Sequence, residues 1–123
     1  SDLGFYLFKP MIEQMTNQPF DRYVYEHFYK PMGLKHLVFT PRKFFRIKQI
    51  NPTEQDKLFR KQILVGDVQD QGAALLGSVA GHAGLFGNAI DVAAVMQMLL
   101  DGGKYEGNQI LQQSVINTFN HRW

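Results

Sequence analysis

S-V-A-G-H-A-G-L-F-G-N, from Ser78 to Asn88, is small, glycine-rich and apolar, and His82 is its one ionisable residue. Gly81, Gly84 and Gly87 allow backbone angles and close approaches that a Cβ would forbid. Asn88 is placed to cap a strongly apolar helix over residues 89–100. A glycine-rich turn running into a helix start is a setting for an anion, because the first helical amides have no internal partners. The stretch is neither a phosphate loop nor a dinucleotide fingerprint, since G-x-x-x-x-G-K-[ST] and G-x-G-x-x-G are both absent. The competing reading is a tight connection packed against the core.

Downstream, Ile90, Ala93, Ala94, Met96, Leu99 and Leu100 pattern a helix that Asp101-Gly102-Gly103 stops. Residues 104–109 form a polar turn, read as a small hairpin with Ile110 and Leu111. Ser114 starts a last helix through Phe119.

Upstream, residues 68–76 read as a turn into one or two helical turns, stopping at Gly77. Asp70 is either the cap of that helix or a polar group facing a pocket. Pro52-Thr53-Glu54 predicts a short helix with Thr53 as cap and Asp56 returning the capping-box contact. Ile63, Leu64 and Val65 are a strand or the buried end of that helix. Residues 41–61 are basic: Arg42, Lys43, Arg46, Lys48, Lys57, Arg60 and Lys61, interleaved with Phe44, Phe45, Ile47, Ile50 and Phe59. Such interleaving can build a nucleic-acid surface. A net charge of only +2 and the lack of any legible binding module favour a solvated loop anchored by its aromatics, with no nucleic-acid partner. Residues 36–40 predict a short strand closed by Pro41.

At the start, Leu3, Leu7, Phe8, Met11, Ile12 and Met15 make one apolar helical face, with Asp2 as N-cap and Pro10 expected to kink or divide the helix. A turn ending at Pro19 leads into a second helix to about Tyr29. Asp21 is its expected cap, Phe20 the staple before it, and Pro31 its stop. The chain is thus mainly α with few short strands.

One domain or fragment, residues 1–123, is what this length supports. Ten Phe and five Tyr supply enough apolar bulk for a core. Without cysteine there is no disulfide or thiolate chemistry. No apolar run approaches the ~20 residues of a membrane span. The chain opens at Ser1-Asp2-Leu3 and reads as a piece of something longer. The four histidines, at 27, 36, 82 and 121, share no metal-binding spacing, so no metal or cofactor is expected. No serine lies in G-x-S-x-G or Ser-x-x-Lys. His82 is the histidine kept as a site candidate, because its glycine-rich surroundings allow access.

Ser1-Asp2-Leu3-Gly4-Phe5, Phe20-Asp21-Arg22-Tyr23 and Tyr29-Lys30-Pro31-Met32-Gly33-Leu34 resemble the middle of the serine β-lactamase and penicillin-binding-protein-like superfamily. The class C, esterase-like branch is the nearest. Pro52-Thr53-Glu54, Gly66-Asp67-Val68-Gln69-Asp70 and Gly81-His82-Ala83-Gly84-Leu85-Phe86 look like a subgroup of it. In some bacterial proteins a similar domain is fused behind a family 3 β-N-acetylglucosaminidase.

The resemblance implies the helical portion of an α+β, β-lactamase/transpeptidase-like fold, and acyl transfer through a serine ester on a peptide, ester or β-lactam substrate. It implies that Ser1 and Asp2 are the remnant of a Tyr-x-Asn motif, with Asp where Asn is usual. The Ser-x-x-Lys nucleophile would precede Ser1, and a Lys/His-Thr-Gly motif would follow Trp123. Asp70, His82 and Ala83 would edge the substrate cleft, and Gln69 stands where many of the subgroup have His. On this reading the fragment alone is inactive, its substrate is a small molecule or cell-wall-type compound, and export to the periplasm is expected from the relatives. Exposed apolar surface on such a fragment would favour self-association. The alternative is a non-catalytic accessory module of a bacterial glycosidase.

Overall fold

The computed structural model describes residues 2–122. These residues are mainly helical, with three two-stranded antiparallel sheets. The chain divides into two compact units. One comprises the residues up to Tyr23 together with Val38–Phe86; the other comprises Val24–Leu37 and the residues from Gly87 onward.

In the first unit, α1 (Leu3–Tyr6) and α2 (Phe8–Thr16) replace the single helix predicted there. The division falls at Leu7, not at Pro10. Pro10 is the third residue of α2, within the first turn, where its missing N–H leaves no helical bond unmade. Asp2 stands at the N-cap, but its side chain makes no capping bond; its carbonyl oxygen accepts from Phe5 and Tyr6. The predicted apolar face is open: Leu3, Leu7, Met11 and Met15 are all at least half exposed.

The next helix, α3 (Phe20–Val24), begins at Phe20, so Asp21 lies inside it and is not its cap. The first amide is met from outside the helix, by Glu13 Oε1 of α2, 2.9 Å from Phe20 N. That bond is the main cause that holds the Glu13 carboxyl below its usual range.

β1 (Val38–Phe39) and β4 (Leu85–Phe86) pair antiparallel, Val38 opposite Phe86 and Phe39 opposite Leu85. Two 3-10 turns, Pro41–Lys43 and Ile47–Gln49, lead to β2 (Pro52–Asp56) and β3 (Gln62–Val65), which form a hairpin. The helix expected from Pro52-Thr53-Glu54 is therefore a strand. Thr53 Oγ1 donates to the carbonyls of Leu64, at 3.3 Å, and Asp67, at 3.0 Å, and caps nothing. Leu64, with no exposed surface, is the buried side of this hairpin and is worth about 2 kcal/mol by removal from water. α4 (Gln71–Leu75) follows, and Val68, Ala73 and Ala80 form a small core packed by Ala74 and Ala83.

In the second unit, a π-helical turn over Tyr25–Tyr29 bonds Lys30 N to Tyr25 O at 2.9 Å, one residue wider than an α-helix. α5 (Ala89–Leu100) is capped by Asn88 Oδ1, 2.8 Å from Asp91 N. It ends in a Schellman arrangement, with Gly103 N on Met98 O at 2.8 Å and Gly102 N on Leu99 O at 3.3 Å. The core here is Met32, Leu34, Leu37 and Met98, with Ala94 and Val95 against it. Helix α5 thus buries Asp91 and Met98, while Ile90, Met96 and Leu100 of the expected face are exposed. A helix apolar nearly all round carries no stripe from which to choose its inner side. β5 (Lys104–Tyr105) and β6 (Asn108–Gln109) make a hairpin within the stretch read as a polar turn, with Ile110 and Leu111 outside it, and α6 (Gln113–Phe119) is the last helix.

Candidate functional site

The site residues that the structure brings together lie in the first unit, around the start of α4. Asp70 is extended, at φ −61° and ψ 127°, and caps the helix: Oδ1 accepts from Ala73 N at 2.7 Å. The same oxygen is 2.9 Å from Nε2 of His82, twelve residues later. The two readings of Asp70, cap and polar site group, are therefore both satisfied by one atom. The Ala73 N–H, and after it the His82 ring, hold the Asp70 carboxyl below the usual carboxylate range. An ionised carboxylate only accepts, so the ring proton sits on Nε2.

The His82 side chain is 4% exposed, against 36% for Asp70. Its Nδ1 is fully buried and has no hydrogen-bond partner among the described residues. The imidazole is tilted against the Tyr6 ring of α1, with centroids 4.2 Å apart. Asp70 therefore presents a carboxylate to solvent, while His82 works from beneath it.

Glycine makes this packing possible. A Cβ on Gly81 would lie 2.5 Å from Phe5 O and 3.1 Å from Phe8 Cβ. Gly84 holds φ +108°, and a Cβ there would collide with the Ser78 carbonyl oxygen. Gly72 sits directly beneath the Tyr6 hydroxyl. The glycine-rich turn thus serves as the seat of α1, and the tight-connection reading of it is the one the geometry follows. At the other end of the stretch, the first turn of α5 is already occupied by the Asn88 side chain.

A second cluster fixes the approach to Asp70. Asp56, 4% exposed, accepts from the backbone amides of Leu58, Phe59 and Arg60. Arg60 Nε is 2.9 Å from Asp56 Oδ2, and its two Nη atoms donate to the carbonyls of Val68, at 2.6 Å, and Gln69, at 2.8 Å. These bonds, that with Arg60 foremost, push the Asp56 carboxyl far below its usual range. Arg42 ties the same loop one step earlier, through Val65 O and Asp67 Oδ2, both at 2.6 Å.

Of the residues expected at the site, Asp70 and His82 touch, and Ala83 packs on the small core beside them. Ser1 lies outside the described residues. Asp2 is exposed at the start of the helix that Tyr6 ends. Sequence reasoning missed Tyr6, Asp56 and Arg60. For the last two a signal existed, an acid and an arginine four residues apart, but it was absorbed into a helix that is not there. Among the described residues no group of three or more His, Cys, Asp or Glu could hold a metal. No described helix is long and apolar enough to cross a membrane.

Residues 1–123 match the family model described as Beta-lactamase. The chain is 40% identical over 131 residues to a protein of Escherichia coli (strain K12) named "Putative D-alanyl-D-alanine carboxypeptidase", covering 97% of this chain and 30% of that protein. A Salmonella agona protein of the same name is 38% identical over 134 residues, covering 99% and 31%. The "N-acetylmuramyl-L-alanine amidase" of Bacillus subtilis (strain 168) is 35% identical over 131 residues, covering 97% and 30%. The chain thus spans about 30% of the length of these curated relatives. No solved structure matches it.

Proposed function

The chain belongs to the β-lactamase family, and from that premise we propose that it is the helical segment of a serine hydrolase domain. The domain transfers an acyl group through a serine ester, on a cell-wall peptide or a related ester or β-lactam. The names of the relatives, a carboxypeptidase and an amidase, support the peptide class. The observation that carries the reading is the seat of α1. The helix that follows Ser1-Asp2, the remnant of Tyr-x-Asn, rests through Tyr6 on His82, which Asp70 holds. In this role Asp70 and Ala83 edge the substrate cleft and His82 fixes their spacing from behind.

The 123 residues hold no Ser-x-x-Lys, so the segment alone has neither nucleophile nor base and is inactive. The test is acylation by a penicillin-type probe, located by mass spectrometry. The complete natural polypeptide that carries this chain is expected to take up one penicilloyl group on a serine outside residues 1–123, and the isolated segment none. An adduct on the segment refutes its inactivity. A folded complete polypeptide that forms no adduct and cleaves no peptide or ester refutes the hydrolase reading.

One observation favours a second reading, a non-catalytic accessory module of a glycosidase. Asp2 stands where the motif has Asn, and an ionised carboxylate cannot donate an amide proton to substrate. Degraded motifs on both sides of this chain, beside a glycosidase domain, would decide for the module.

A further inference from the structure

We infer that Arg60 is a positioning residue for the Asp70–His82 pair. This rests on the reading of Asp70 as a cleft residue for its functional consequence, but not for its geometry. The Arg60 side chain is 16% exposed and spends all three of its nitrogens on fixed acceptors. One is the buried Asp56 carboxylate; the other two are the carbonyls of the two residues that precede Asp70.

The demand that this meets is geometric. Asp70 Oδ1 must reach Ala73 N in its own helix and His82 Nε2 from a separate turn with a single atom. A small displacement of the Val68–Gln69 peptides would carry Asp70 off one target or the other. The Val68 side chain anchors one side of this segment in the alanine core, and the guanidinium holds its carbonyls. Asp56 in turn is fixed by three backbone amides of the hairpin turn, so the guanidinium has a rigid mount. A lysine would keep the charge and the contact with Asp56, but an ammonium lacks the planar fork that spans two carbonyls at once.

A purely structural role, in which Arg60 only staples the hairpin to the loop, predicts lower stability and nothing more. Nitrogen-15 NMR of the complete natural polypeptide separates the two. In the wild type, resolved and slowly exchanging Nη–H signals for Arg60 are expected, together with a His82 ring protonated on Nε2. A single averaged guanidinium signal would overturn the inference without any variant. In Arg60→Lys and Arg60→Gln, exchange of the His82 Nε2 proton is expected to rise about tenfold, the scale of one lost local bond. The rate constant of acylation is expected to fall about tenfold, while the probe concentration at half-saturation holds. Unchanged His82 signals in folded variants of lowered melting temperature would leave only the staple and overturn the inference. A wild type that does not acylate sinks the hydrolase reading instead, and the His82 signals still decide the role of Arg60.

Discussion

Asp70 Oδ1 accepts two hydrogen bonds at once, from Ala73 N at 2.7 Å and from His82 Nε2 at 2.9 Å. A single atom therefore starts a helix and ties that start to a residue twelve positions on. Losing it should cost more than losing an ordinary cap. We expect Asp70→Ala to destabilise the folded polypeptide by about 2 kcal/mol, the upper end for an N-cap. Asp70→Asn keeps an acceptor in the same place and should cost less than half as much. Urea unfolding of the two variants beside wild type measures the difference, and equal costs would show that a neutral acceptor does not replace the carboxylate.

Acid should loosen the same region. Asp56, Asp70 and Glu13 are each held below their ordinary range, by Arg60, by the Ala73 N–H and by the Phe20 N–H respectively. For a depressed carboxyl the unfolded chain binds protons first as pH falls. The stabilisation is complete above the unfolded values, about 4, and is lost as pH drops through the lower folded ones. The urea midpoint should therefore fall steadily below about pH 4. Asp56→Asn should flatten that decline. A variant whose midpoint falls as steeply as wild type would remove Asp56 from the account.

Two glycines should respond to alanine with opposite signs. Gly84 is buried, holds φ +108° and has the Ser78 carbonyl where a Cβ would go. Gly84→Ala should cost about 2 kcal/mol or more. Gly4 lies in α1 at a helical backbone angle with open space where a Cβ would stand, so Gly4→Ala should stabilise by about 0.5–1 kcal/mol. Thermal unfolding reads both signs in one experiment.

Leu64 has no exposed surface, and its strand pairs opposite Glu54. Leu64→Ala should cost about 3 kcal/mol through lost burial and the cavity left behind. A loss below 1 kcal/mol would mean that the hairpin collapses around the gap.

What the sequence made legible was local. Asn88 as a cap, the double-glycine stop after α5 and the turn at Pro19 each depend on residues within one helical turn of each other. What it hid was set by distant partners. Pro52-Thr53-Glu54 has a good capping pattern, yet Thr53 bonds Leu64 and Asp67 and the segment is a strand. Phe20 draws its cap from Glu13 in the previous helix, and Asp21, the residue the local pattern favours, lies inside α3. Asp70 and His82 could each be singled out alone, but no spacing announces that they share an oxygen. Tyr6 is ordinary in sequence; it joins the site only because Gly72 and Gly81 leave room beneath α1.

The Arg60 clamp grips main-chain oxygens, and so it is blind to which side chains those peptides carry. Position 69, exposed and held among the described residues by its carbonyl alone, can exchange one chemical character for another while the loop keeps its path. Glutamine and histidine are interchangeable there as far as the scaffold is concerned. The loop is thus steered by its main chain right up to Asp70, the residue that faces solvent beside His82.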